Sequence, residues 1–181
     1  MARIVVAPQA FKGSLSAVEV ASAMAEGVRR SGGGAEVVQL PMADGGEGTV
    51  DALLVALGGE RRQETVEGPL GKPVQSTWAL LPDGRAAVEM AAASGLTLLP
   101  PHRRDPRRTS TYGTGQLIRA ALGAGPTEII VGLGGSATND AGAGALQALG
   151  MRLLNETGQE LGRGGAALTQ LARIDPGRLD P

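Results

Sequence analysis

Ile4-Val-Val-Ala7, then Ser16-Ala-Val-Glu19 with Val20, Ala21, Met24, Ala25 and Val28 behind it, then Glu36-Val-Val-Gln-Leu40: this stretch decides the fold. The first run is continuously apolar and predicts a strand buried on both faces. Ser16 with Glu19 three residues on is a capping-box signature, and the apolar residues that follow keep helical spacing until Ser31-Gly-Gly-Gly34. A second strand is expected over 36–40. Past a glycine-rich loop, Val50, Leu53, Leu54 and Leu57 mark another helix, closed by Gly58-Gly59. The order β-α-β-α with right-handed crossovers predicts a parallel sheet flanked by helices, an α/β fold.

The texture changes near Arg61. Gln63 to Glu67, Val74 to Leu81 and Ala86 to Met90 read as shorter strands separated by Gly-Pro turns such as Pro82-Asp83-Gly84. A domain boundary is placed near residues 60–65. Pro100 to Arg108 is polar, basic and proline-broken, an exposed loop. Gly115 to Leu122 reads as a helix and Ile129-Ile-Val131 as a buried strand. Leu146, Ala148 and Leu149 belong to a helix ended by Gly150. After Arg163 the helical signal is short.

Composition narrows the chemistry. The 181 residues are 42% apolar but hold one Phe, one Tyr and one Trp, so the core is aliphatic. With no cysteine there is no disulfide, thiol nucleophile, Fe–S cluster or Cys-based zinc site, and His102 as the single histidine excludes a His-rich metal cluster. A net charge of −1 argues against a nucleic-acid partner. No run approaches the ~18 apolar residues of a membrane span, and Ile4 to Ala7 is too short for a signal-peptide core. A cytoplasmic protein is expected.

The 29 glycines exceed what turns require, and many sit in two loops that also carry acids: Asp44-Gly-Gly-Glu-Gly-Thr49 and Gly134-Gly-Ser-Ala-Thr-Asn-Asp140. Glycines let backbone N–H groups approach an anion at a helix start, whereas carboxylates beside them call for a bridging Mg²⁺ or a base. Together they suggest phosphoryl transfer. The second loop should lie beyond the carboxyl end of a strand, where open sheets bind ligands. Ser136, Thr138 and Asn139 offer donors there. Asp140 either holds Mg²⁺ or orients a hydroxyl; alternatively Thr138 or Asn139 caps the helix and Asp140 complements its dipole. No lysine follows at P-loop spacing. Asp44 and Glu47 carry the same ambiguity near their own helix start. Lys12, in the loop after the first strand, can reach a phosphate or remain a solvated residue. Glu89 is either at a strand end facing a site, paired internally, or on a helix facing water. Thr109-Ser-Thr-Tyr-Gly-Thr-Gly115 suits substrate hydroxyls or capping. His102-Arg-Arg-Asp-Pro-Arg-Arg108 reads as a solvated loop.

Read together, Ala7-Pro-Gln-Ala-Phe-Lys-Gly-Ser-Leu-Ser16, Ala43-Asp-Gly-Gly-Glu-Gly-Thr49, Glu89-Met-Ala-Ala-Ala-Ser-Gly-Leu96, Thr111-Tyr-Gly-Thr-Gly115 and Gly134-Gly-Ser-Ala-Thr-Asn-Asp140 resemble the bacterial glycerate kinase family, in order across nearly the whole chain. The resemblance implies ATP- and Mg²⁺-dependent phosphorylation of D-glycerate to 2-phosphoglycerate in a cleft between two α/β lobes. Residues 1–62 would belong to a flavodoxin-like (Rossmann-type) lobe and 63–181 to a second mixed α/β lobe. On that reading Lys12, Asp44 and Asp140 are the catalytic candidates, with Asp44 and Asp140 also the metal candidates. Gly45, Gly46, Thr49, Gly134, Gly135, Ser136 and Asn139 bind phosphate or nucleotide, and Ser14, Thr111 and Thr114 bind glycerate. The chain departs from the pattern at Gln9-Ala10, where the family has Asp-Ser, and at Ala141, where it has glycine. Members of that family are about twice as long as this chain, which therefore reads as an N-terminal portion. A non-catalytic module that retains nucleotide or hydroxy-acid binding is the alternative. The oligomeric state is not legible.

Overall fold

The computed structural model describes residues 2–11, 13–177 and 179. Strands β1 (Arg3–Val6) and β2 (Glu36–Gln39) pair in parallel, from Arg3 opposite Glu36 to Val6 opposite Gln39. Helix α1 (Ala17–Arg30) makes the crossover between them. Its capping box forms as the sequence predicts: the Ser16 hydroxyl accepts the Glu19 N–H at 3.3 Å and the Glu19 carboxylate accepts the Ser16 N–H at 2.8 Å. Such a cap stabilises a helix by about 1 kcal/mol. Ala17, Val20, Ala21 and Ala25 form the buried stripe of α1. The expectation that the first strand is buried on both faces is corrected. Val6 is buried, but Ile4 and Val5 are 39% and 57% exposed. Among the described residues β1 has β2 as its one strand neighbour and no strand on its other edge.

Helix α2 (Thr49–Leu57) leads into a sheet of four strands in the order β3 (Glu60–Glu67), β4 (Pro73–Leu80), β5 (Arg85–Glu89) and β6 (Glu128–Gly132). Here the mostly parallel sheet expected from the opening pattern is corrected. β3–β4 and β4–β5 run antiparallel and β5–β6 parallel. The tight turns at 68–72 and 81–84 decide this, because a short connection can only return the chain antiparallel, whereas a parallel pair needs a long crossover. That crossover carries α3 (Ala91–Ser94) and α4 (Tyr112–Leu122). Helix α5 (Ala143–Ala148) follows β6. Strands β7 (Arg152–Leu154) and β8 (Arg173–Asp175), which the sequence reading did not find, form an antiparallel pair.

The period-2 alternation of the sheet sorts its side chains between two helices. Val66, Trp78, Ala86 and Val88 point to one face and pack with Leu117 and Ala121 of α4. Ala79, Leu81 and Ala87 point to the other and pack with Val50, Leu53 and Leu54 of α2. The four-stranded sheet is thus covered on both faces and α2 is anchored to it. The result is a mixed α/β fold. Among the described residues no helix is long and apolar enough to cross a membrane.

Candidate active site

The loops that follow β1 and β2 meet the end of β6 around a cleft of about 680 Å³. One wall is the segment from Gln9 to Ala17, a second runs from Met42 through Asp44 and Glu47 to Asp51, and the third is formed by Leu96, Thr97, Gly134 and Gly135. The cleft therefore opens beyond the carboxyl ends of parallel strands, where the sequence reading placed a ligand. Of the residues singled out beforehand, Ser14, Asp44, Gly46, Gly134 and Gly135 line it together. Lys12 lies outside the described residues. The departing pair Gln9 and Ala10 also lies on the wall, so those two substitutions fall where a ligand would be felt.

The two glycine loops touch backbone to backbone. The Gly134 N–H donates to the Gly45 carbonyl at 2.8 Å. A Cβ on Gly132 would stand 2.5 Å from the Gly45 oxygen, and one on Gly134 would stand 2.5 Å from the Gly46 nitrogen. Part of the glycine content thus serves loop-against-loop packing, a use that sequence spacing does not reveal. Within the first loop the Asp44 carboxylate accepts the Gly46 N–H at 3.2 Å and the Thr49 hydroxyl donates to the Gly46 carbonyl at 2.7 Å. Asp44 and Glu47 are both exposed on the cleft. The Thr97 hydroxyl donates to Glu47 from the opposite wall.

Asp140 sits elsewhere. It is 1% exposed, and its carboxylate accepts the N–H groups of Thr111 (2.8 Å), Gly142 (3.3 Å) and Gly144 (3.2 Å) together with the Thr111 hydroxyl. The Thr111 oxygen accepts in turn the Ala145 N–H at 3.0 Å. Asp140 and Thr111 therefore join the starts of α4 and α5, and neither lines the cleft. Thr114 is likewise buried, its hydroxyl 2.8 Å from that of Ser94. Ser136 shares a hydrogen bond with the Thr138 hydroxyl at 2.8 Å, and Asn139 is exposed. Gly45, Thr49, Ser136 and Asn139 are not part of the cleft lining. The cap of α5 is Gly142 rather than Thr138 or Asn139.

Glu89 resolves to one of its sequence alternatives with a partner the sequence did not suggest. It ends β5, is 8% exposed, and directs its carboxylate at the first turn of α2, where it accepts the N–H groups of Val50 and Gly48. Burial pushes its carboxyl above the ordinary glutamate value, the two N–H donors pull it down, and the nearby Asp51 and Glu47 carboxylates push it up again. The sequence signals that could have found it are the absence of any capping side chain at Gly48 and an acid at the end of an apolar strand.

Among the described residues no group of three or more His, Cys, Asp or Glu side chains converges to hold a metal unaided. Mg²⁺ in kinase sites is held by one or two carboxylates plus substrate phosphates and water, and Asp44 with Glu47 on one wall suits that donor set. Asp140, already saturated with donors, does not.

Comparison with known proteins agrees with this geometry in fold. The Glycerate kinase family profile matches residues 4–181. The chain is 54% identical to a glycerate kinase of Bacillus subtilis over 98% of this chain and 47% of that protein. It is 52% identical to glycerate 2-kinase of Escherichia coli over 99% of this chain and 47% of that protein. A crystal structure from Salmonella typhimurium LT2, provisionally assigned as glycerate kinase 2, is similar with a TM-score of 0.85 at 50% identity, covering 99% of this chain and 48% of that one. The chain spans about half the length of the curated relatives it matches. A profile that runs from β1 through the last described strand, with relatives above 50% identity along it, leaves one assignment: the chain belongs to the glycerate kinase family.

Proposed function

We propose that this chain supplies one side of a cytoplasmic site for ATP-dependent phosphorylation of D-glycerate to 2-phosphoglycerate, by in-line transfer in a cleft between two α/β lobes. The observation that carries the reading is the cleft itself, bounded by the two glycine loops whose sequences resemble those of the family. Phosphoryl transfer asks of a protein mainly positioning and electrostatic stabilisation. Asp44, with Glu47, would hold Mg²⁺, which would supply neutralisation of negative charge on the transferring phosphate. The Gly134-Gly135 wall and the loop carrying Lys12 would take the phosphates, with Ser14 toward the hydroxy-acid. Asp140, Thr111 and Thr114 would act from behind, by fixing the second loop and α4.

A second reading is favoured by one feature of the lining. Gln9 and Ala10 lie on its wall where the family pattern has Asp-Ser, so a carboxylate of that pattern is missing there. A non-catalytic module that binds Mg²⁺-nucleotide and transfers nothing fits that loss. ADP release by the purified chain with Mg²⁺-ATP, with and without D-glycerate, separates the two. Glycerate-dependent release, with 2-phosphoglycerate identified by phosphorus NMR, supports the kinase. Nucleotide binding by calorimetry without release supports the module. No binding of either compound would sink both.

A further inference from the structure

The N-terminus of α2 is an obvious seat for a ligand phosphate, since it follows a glycine loop and its cap residue, Gly48 at φ +86°, brings no side chain. That seat is taken. Glu89 reaches it from the end of β5, a strand paired on both sides, and its two oxygens accept the N–H groups of Val50 and Gly48. A fixed internal anion satisfies the orphan donors and the positive end of the helix dipole that a phosphate would otherwise use. The segment just before it carries Asp44 and Glu47 into the cleft. Its other described restraints differ in kind: the Asp44–Gly46 and Thr49–Gly46 bonds are local, Thr97 holds Glu47 from an exposed position, Gly134 bonds the Gly45 carbonyl backbone to backbone, and Val50 packs on the sheet through apolar contact. Among the described residues Glu89 is the one buried polar side chain of the sheet that hydrogen-bonds this turn.

We propose that Glu89 is a positioning residue: by clamping the first turn of α2 to the end of β5 it fixes the Asp44–Glu47 segment on the cleft wall and reserves that wall for a cation, leaving ligand phosphate to the Gly134-Gly135 side. This rests on the functional reading above, which assigns the Asp44–Glu47 segment to Mg²⁺. Glu89 does not touch substrate. It acts through the backbone of residues 48–50, and its negative charge at the helix start keeps a second anion away.

The test compares wild type, Glu89→Ala and Glu89→Gln in the intact chain. Amide hydrogen exchange is measured residue by residue, and Mg²⁺-ADP binding by calorimetry. Removing a hydrogen bond between a charged acceptor and buried donors predicts exchange at 46–51 about tenfold faster or more in Glu89→Ala, with β3, β4 and α4 unchanged. Glu89→Gln keeps one acceptor oxygen for Val50 and should fall between the two. Mg²⁺-ADP affinity should weaken in the same order, and turnover, where wild type shows it, should lose kcat more than it raises KM for glycerate. Unchanged exchange at 46–51 in Glu89→Ala overturns the proposal. So does an increase spread evenly over the chain, or a loosened segment with undiminished Mg²⁺-ADP affinity. If wild type binds no Mg²⁺-ADP, the functional reading fails with the cation role, and the exchange pattern alone then decides whether Glu89 is the clamp.

Discussion

Replacing Asp140 with Asn separates a chemical role from an architectural one. The carboxylate is 1% exposed and accepts three backbone N–H groups and a hydroxyl. An amide keeps the shape but turns one acceptor into a donor. With the nitrogen at the Oδ2 position, the N–H groups of both Thr111 and Gly144 would face another donor. With the nitrogen at Oδ1, the Gly142 N–H loses its partner, while the Thr111 hydroxyl still donates to Oδ2 at 3.0 Å. The second arrangement costs less, yet it strands one partly buried N–H and exchanges charge-assisted bonds for neutral ones. Bonds to charged groups contribute about 1.5–3 kcal/mol, so Asp140→Asn should destabilise by about 2–3 kcal/mol. For a chain of this size that lowers the midpoint by about 4–12 °C. Urea and thermal melts followed by circular dichroism measure it, with turnover recorded at a temperature where the variant is folded. Thr111→Val, which removes the hydroxyl partner, should be non-additive with it in a double-mutant cycle. A variant as stable as wild type but at least ~10²-fold slower in turnover would refute the reasoning and return Asp140 to the chemistry.

Three further outcomes follow from particular contacts. Ala141 is the one non-glycine among the described residues in the left-handed region, at φ +51°, and it is exposed. Relief of about 1–2 kcal/mol of strain, less about 0.4–1 for the freer unfolded chain, makes Ala141→Gly stabilising by about 0.5–1 kcal/mol; a lower melting temperature would count against it. Gly134→Ala places a methyl 2.5 Å from the Gly46 nitrogen, a backbone atom that cannot swing aside, and should cost about 1–3 kcal/mol and weaken Mg²⁺-ADP binding by calorimetry. Its failure to do either would mean that the loops part freely. Burial raises the Glu89 carboxyl, so the stability linked to it is fully present below the ordinary glutamate value and is lost as pH rises through the folded value. The melting temperature of wild type relative to Glu89→Gln should therefore fall as pH climbs through that window, with Glu47 and Asp51 as the neighbouring carboxylates, and a flat difference would contradict the burial argument.

Local signals in the sequence translated well and long-range ones did not. Ser16 and Glu19 announce the start of α1 because the whole device lies within four residues. The turns at Gly68-Pro69 and Pro82-Asp83-Gly84 were legible too, although their consequence, an antiparallel pairing, was outweighed by the β-α-β-α opening. Strands β7 and β8, at three residues each, are shorter than any periodicity can register. The partners of Glu89 lie 39 and 41 residues away and those of Asp140 as many as 29, so nothing in their immediate neighbours distinguishes a helix clamp from a metal ligand. The exposure of Ile4 and Val5 also runs against the sequence, because an apolar run reports a demand for burial and not its fulfilment.

The bond from Gly134 to Gly45 has a thermodynamic consequence for ligand binding. Two loops from distant parts of the chain meet there backbone to backbone, with glycines on both sides of the contact. On the proposed function, a ligand that quiets one loop would quiet the other, and the entropy of ordering would be surrendered once for nucleotide and glycerate together. The second compound would then associate more tightly with no change of shape, and by reciprocity the order of addition would be immaterial. Calorimetric titration of nucleotide with and without glycerate would show this as synergy between the two, and independent affinities would show that the loops do not share their motion.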